Sequence, residues 1–259
     1  MLFTDSHCHF DFKEFAQTRE AVAKNCLDLG VHQLIVPAIA PSNWQAVLAL
    51  ETQSELKLHK ALGIHPWFLN DLTLADVEDL SSLVTRHHSE IIAIGEIGID
   101  GKIAEDYDNL TKQIQFFDAQ LALAAKSQLP VIVHHRKSHP LLVERIKSAK
   151  YSGGGIVHAF SGSFQQAKHY LDLGFKLGIG GTITYERAAK TRKTVTKLPL
   201  ESMVLETDAP AMPIFQQKIQ HNSPENIPLI FDALTDLRQE PKDLIAEQLE
   251  NNIINLFSA

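Results

Sequence analysis

Eight short runs of apolar and β-branched residues recur along the 259-residue chain at intervals of roughly thirty, the length of one strand-plus-helix unit. The runs are Leu2–His9, Gln33–Ala38, Leu58–His65, Ile91–Ile97, Val131–His134, Gly155–Ala159, Phe175–Gly180 and Met203–Asp208. Between them the apolar residues fall at helical spacing. The clearest helix is Leu110–Ser127, where Ile114, Phe117, Leu121 and Ala125 form one stripe, and Asn226–Arg238 and Lys242–Leu256 close the chain as two further helices. This alternation predicts an α/β fold. An open doubly wound sheet alternates in the same way, but eight regular units favour closure into a (β/α)8 TIM barrel, a fold that takes about 250 residues. Gly and Pro punctuate strand ends, and no low-complexity linker divides the chain, so residues 1–259 read as a single domain.

Composition sets the class. Apolar residues make up 44% and charged residues 21%, enough for a sizeable core and a solvated surface. A net charge of −7 argues against a uniformly basic, nonspecific nucleic-acid binder, although a local phosphate site needs only local charge. Cys8 and Cys26 are the only cysteines and form no Cys-x-x-Cys motif. With no signal-peptide pattern and no apolar stretch of membrane-spanning length, the expected location is the cytoplasm, with no membrane association and no obligate protein partner.

In a barrel, chemistry gathers where the strands end. The first run ends in Asp5-Ser6-His7-Cys8-His9, where alternation sends His7 and His9 to one face and Cys8 to the other, as a small core residue. The fourth ends in Gly95-Glu96-Ile97-Gly98, and a carboxylate at the end of so apolar a run needs a cation or strong donors. The fifth and sixth stop at His134 and His158, and the eighth carries Glu206 and Asp208. Singly, each is as well read as a core histidine or a helix cap. Jointly, four imidazoles and two carboxylates at five strand ends point to a metal site made of His7, His9, Glu96, His134, His158 and Asp208. Six such residues are too many for one tetrahedral ion. Two divalent ions fit better, one held by His7, His9, Glu96 and Asp208, the other by Glu96, His134 and His158, with Glu96 bridging. Zn, Mn, Mg, Fe and Ni are not distinguished by these donors.

Other residues are less decisive. His65, in Gly63-Ile64-His65-Pro66, faces the same mouth, where substrate binding and a structural role are equally good readings, as they are for Arg136. His32, His59, His87, His88 and His169 are expected to be solvated. Arg187, Lys190, Arg192, Lys193 and Lys197 read mainly as a solvated helix face, with steering of a polyanion as the alternative.

These motifs, together with Gly95-Glu96-Ile97-Gly98-Ile99-Asp100, Pro130-Val131-Ile132-Val133-His134-His135-Arg136, His158-Ala159-Phe160-Ser161-Gly162 and Glu206-Thr207-Asp208-Ala209-Pro210, resemble the TatD family of metal-dependent hydrolases, amidohydrolase-type TIM barrels mostly described as deoxyribonucleases. The resemblance runs nearly end to end. It implies the same six metal ligands, with His65 and Arg136 near the substrate, and DNA, as single strands or ends, as that substrate. Gly101 replaces an aromatic residue frequent in the family, and the stretch 216–221, usually basic, is sparsely charged here. On this reading a metal-activated water attacks a phosphodiester, with Glu96 and Asp208 as catalytic carboxylates and Asp208 accepting the proton. The alternatives are an amide or ester hydrolase (deacylase) on the same site, and a metal-binding interaction protein without catalysis. A serine-hydrolase elbow, a P-loop and a dinucleotide fingerprint are all absent from the sequence.

Overall fold

The computed structural model describes residues 1–215 and 221–257. Eight strands, β1 (Phe3–Asp5), β2 (Val31–Pro37), β3 (Lys57–Leu62), β4 (Ile91–Asp100), β5 (Val131–Arg136), β6 (Gly155–Val157), β7 (Phe175–Ile179) and β8 (Met203–Leu205), lie in sequence order in one sheet. All seven neighbouring pairs are parallel. The seam between β8 and β1 is drawn together by Ser6 N–H donating to Leu205 O at 2.9 Å and by a parallel bridge between Cys8 and Ala209. The helices between and after the strands are α1 (Arg19–Asp28), α2 (Pro41–Leu48), α3 (Leu74–Arg86), α4 (Gly101–Tyr107), α5 (Leu110–Ser127), α6 (His139–Ser148), α7 (Phe164–Leu171), α8 (Ala189–Val195), α9 (Ile227–Thr235) and α10 (Lys242–Phe257).

Alternation along each strand divides the core in two. One face of the strands packs on the helices. The other fills the barrel with Ile35, Ala61, Ala93, Ile132, Ile156 and Val204, and Ile253 of α10 joins this inner cluster. The barrel is therefore a packed interior, and a site must form above it.

The helix α5 spans the residues expected of it, but its buried face differs. Ala125 is exposed, while Gln113 and Gln120 are fully buried beside Phe116, Phe117, Leu121 and Ala124. Each glutamine clamps both backbone groups of one strand-end residue. Gln120 accepts from Ile64 N–H at 2.7 Å and donates to Ile64 O at 3.1 Å. Gln113 does the same to Asp100, at 2.8 and 3.2 Å. Ile64 lies beyond the end of β3 and Asp100 is the last residue of β4, and the amides complete their hydrogen bonding. Gln120→Leu strands a buried N–H and C=O, so it is expected to cost about 1–3 kcal/mol. Urea unfolding against Gln115→Leu, at an exposed position of the same helix, measures this; equal stability of the two variants would contradict the clamp.

At the opposite end of the barrel, His32 and His59 are half-buried and not solvated as expected. Gln33 joins them, at 2.9 Å to His32 Nε2 and 2.7 Å to His59 Nε2.

Candidate metal centre

Glu96, 2% exposed on β4, stands at the centre of the strand ends. Its two oxygens face different groups. Oε2 lies 3.2 Å from His7 Nε2 and 3.5 Å from His9 Nε2, and Asp208 Oδ1 lies 3.5 and 3.6 Å from the same nitrogens. Oε1 lies 3.1 Å from His134 Nδ1, 3.0 Å from His158 Nε2 and 3.2 Å from His65 Nε2.

The far side of each ring decides which nitrogen is bare. His9 Nδ1 is 3.2 Å from Pro37 O, a partner that only accepts, so Nδ1 carries the proton and Nε2 offers a lone pair to the centre. His134 Nε2 is 3.0 Å from Asp100 Oδ2, which leaves Nδ1 bare. His7 Nε2 lies 3.4 Å from His9 Nε2, and His134 Nδ1 lies 3.3 Å from His158 Nε2. Without their protons, nitrogens so close to one another and to carboxylate oxygens repel, so either protons or a cation must lie among them. The donor set therefore fits divalent ions, and the donor atoms of three groups (His7, His9, Glu96; His7, His158, Asp208; His65, Glu96, His134) lie within 4.8 Å of one another.

Distance alone would make His65 a ligand, but its hydrogen bonding argues otherwise. Its Nδ1 accepts the Trp67 N–H at 3.1 Å, and burial pushes its pKa down to about 4. The neutral ring must then carry its proton on Nε2 and is a donor aimed at Glu96 and the cavity.

Electrostatics follow the same arrangement. Burial pushes Glu96 upward, but His65, His158, His7 and His134 overcome it and hold the carboxyl well below its usual range. Burial likewise lowers His9, His134 and His158, yet the surrounding carboxylates more than reverse this, most strongly at His158, which faces Glu96, Glu206 and Asp208. At His7 burial prevails, and its pKa is well down. Asp208 is raised by burial to about 6.

Several groups that position the ligands were not assigned that role from the sequence. Asp5, fully buried, accepts from His7 N–H at 3.1 Å, Thr207 N–H at 3.0 Å and the Thr207 hydroxyl at 2.5 Å, tying together the loops that carry His7 and Asp208. Asp208 N–H donates to His7 O at 2.9 Å, and Asp208 sits in the left-handed region at φ 55°. A non-glycine residue is held there only by its surroundings. Glu206 is buried under His158, with Oε1 3.7 Å from its Nδ1 and accepting from Ala159 N–H. A Cβ on Gly178 would meet Glu206 Oε2 at 2.0 Å, so glycine is required there. Asp100, besides holding His134, accepts from Trp67 Nε1 at 2.7 Å and from the backbone N–H groups of Lys102 and Ile103. Asp100→Asn removes the carboxylate that fixes the His134 tautomer. Metal affinity is expected to fall about 10- to 100-fold, checked by competition with a chelating dye; an unchanged affinity would remove Asp100 from this role.

The centre opens into a cavity of about 450 Å³, within the size range of small-molecule sites. Its walls are largely apolar: Phe12, Ile39, Trp67, Phe68, Ala211 and Met212. Phe12 stacks on His9 at 4.8 Å between ring centroids, and Trp67 and Phe68 are about half exposed at the rim. Arg136 lines the cavity, is exposed, and has no carboxylate partner among the described residues.

A parallel barrel with clustered imidazoles and carboxylates at its strand ends is the setting of a metal-dependent hydrolase. The comparisons identify the family: the profile described as "TatD related DNase" matches residues 4–258, and the chain belongs to the TatD family. It is 43% identical over 256 residues to the uncharacterized metal-dependent hydrolase YjjV of Escherichia coli, covering 99% of this chain and 98% of the relative. The crystal structure of that protein superposes with a TM-score of 0.93 over the same shares of each chain. A 3'-5' ssDNA/RNA exonuclease TatD from Pantoea ananatis is 28% identical, covering 94% of this chain and 95% of that one.

Proposed function

We propose that this hydrolase uses two divalent ions to cleave phosphodiester bonds of DNA, acting on single strands or ends. The observation that carries the reading is the division of Glu96: Oε2 serves the group of His7, His9 and Asp208, and Oε1 that of His134 and His158. These residues would hold the ions, with Glu96 common to both. Such a pair, when bound, activates water and polarises the ester under attack. Asp208, whose Oδ1 lies 3.5 Å from His7 Nε2, accepts the proton of the attacking water. The His65 N–H donates to a non-bridging oxygen, and Arg136 pairs with the phosphate. The aromatic walls exclude bulk water and offer a base a surface to stack on. Two free, buried cysteines suit a reducing cytoplasm, and among the described residues no helix is long and apolar enough to cross a membrane.

A second reading, an amide or ester hydrolase on the same centre, is favoured by the apolar walls and the single lining arginine. One panel separates them: single-stranded DNA, duplex DNA, RNA and acyl esters, each with a series of divalent metals, offered to wild type and His134→Ala. Metal-dependent nucleotide release, lost in the variant, is expected. Turnover of acyl esters without any cleavage of nucleic acid would transfer the assignment to the second reading.

A further inference from the structure

Arg187 belongs to the basic run that reads in sequence as a solvated helix face, but it lies before α8, against the loop that follows β8. There it lines a second hollow of about 360 Å³ with Thr182, Tyr185, Ala188, Met212 and Pro213. Met212 lines the metal cavity as well, so the two hollows adjoin across one side chain. The Arg187 guanidinium carbon sits over the Tyr185 ring, 4.8 Å from its centroid. The Tyr185 hydroxyl donates to Pro213 O at 2.8 Å, which anchors the ring to the loop after β8. Phe215 meets Tyr185 edge-on at 5.5 Å and is 46% exposed. Arg187, Lys190 and Lys193 are exposed, and none has a carboxylate partner among the described residues.

An unpaired guanidinium held on an anchored aromatic ring, next to an exposed phenyl ring, offers the two contacts that a nucleotide requires: a cation for phosphate and a flat face for a base. Continuity with the metal cavity gives the occupant its direction. We infer that Arg187, Tyr185 and Phe215 form a distal subsite for single-stranded nucleic acid, holding the nucleotide next to the one whose phosphodiester lies at the metal centre. Arg187 takes its phosphate and Phe215 its base, while Lys190 and Lys193 extend the positive field along the outgoing strand. The inference rests on the nuclease reading and adds to it where grip on the strand resides in a chain of net charge −7.

The test compares the octanucleotide dT8 with thymidine 5'-(4-nitrophenyl phosphate), which has a single phosphate and no neighbouring nucleotide for the second hollow to hold. Arg187→Ala and Phe215→Ala are each expected to raise KM for dT8 about tenfold, the scale of one lost base stack or phosphate contact, with kcat unchanged. Both constants for the small ester should stay at wild-type values. Arg187→Ala should also flatten the dependence of log KM for dT8 on log salt by about 0.7, one single-strand phosphate contact. Wild-type KM for dT8 in both variants, or an equal loss on both substrates, overturns the subsite and leaves the nuclease reading intact. Failure of the wild-type enzyme to cleave any oligonucleotide overturns both.

Discussion

Glu96→Gln is expected to reduce metal-dependent hydrolysis about 10³-fold or more, the scale of losing a preorganised electrostatic contact at the reacting centre or a bridging ligand. The size of the effect follows from the position of Glu96 between two donor groups, each within 3.5 Å of one of its oxygens. Glutamine keeps the shape but supplies one neutral oxygen, and its NH₂ must face imidazole lone pairs or a cation. Neither outcome serves both groups. Asp208→Asn is the informative contrast, because the Asp208 carboxylate, 3.5 and 3.6 Å from His7 and His9, is assigned to one ion and Glu96 to both. Metal analysis of the purified proteins should therefore find both ions depleted in Glu96→Gln and one in Asp208→Asn. Circular dichroism melts guard against unfolding as the cause. A folded Glu96→Gln protein that binds two ions and turns over within tenfold of wild type would end the bridging assignment.

The fold was legible because barrel strands are buried on both faces and so read as apolar runs, and the repeat of eight is hard to produce otherwise. The strand ends were less legible, for a physical reason. The run Leu2–His9 reads as one strand, yet the ladder stops at Asp5. Beyond it the chain bonds irregularly to its neighbours on either side, Cys8 N–H to Ile35 O and His9 N–H to Ala209 O. His7 and His9 do meet, with Nε2 atoms 3.4 Å apart, but through this loop path and not through strand alternation. In the same way β8 ends at Leu205, so Glu206 and Asp208 do not share a strand face. Asp208 reaches the centre through a left-handed backbone, while Glu206 turns under His158.

The ligand-type residues were visible because imidazoles and carboxylates are conspicuous after apolar runs. Their supports were not. Gln113 and Gln120 look like ordinary polar helix residues until strand ends with unpaired backbone groups are placed beside them; their seven-residue spacing on an otherwise apolar face was the available signal. Trp67 gave no clue that its indole would donate to Asp100, thirty-three positions away. Of the sparsely charged stretch 216–221, residues 216–220 lie outside the described residues.

Removing the metal should lower the melting temperature, and the drop should widen as pH rises. Ions present at a thousandfold excess over Kd stabilise the fold by about 4 kcal/mol per site, or roughly 8–16 °C for a chain of this size. The pH dependence comes from protons that compete for the same lone pairs. In the metal-free protein His9, His134 and His158 are raised above the ordinary value of 6.5, because neighbouring carboxylates outweigh burial. Their protonated forms stabilise the metal-free fold fully below about 6.5, and that contribution fades as pH climbs through the raised values. Ions must displace these protons, so acid weakens ion binding by favouring the competing imidazolium–carboxylate pairs. His7 and His65 are pushed the other way, His65 to about 4, and take no part in this competition near neutrality. Between pH 6 and pH 8, apparent affinity should rise about tenfold per pH unit for each proton displaced. Differential scanning fluorimetry with and without a chelator, run across that range at fixed free metal, reads the effect directly. A metal-dependent shift that stays constant from pH 6 to pH 8 would mean that these imidazoles hold no protons for an ion to displace.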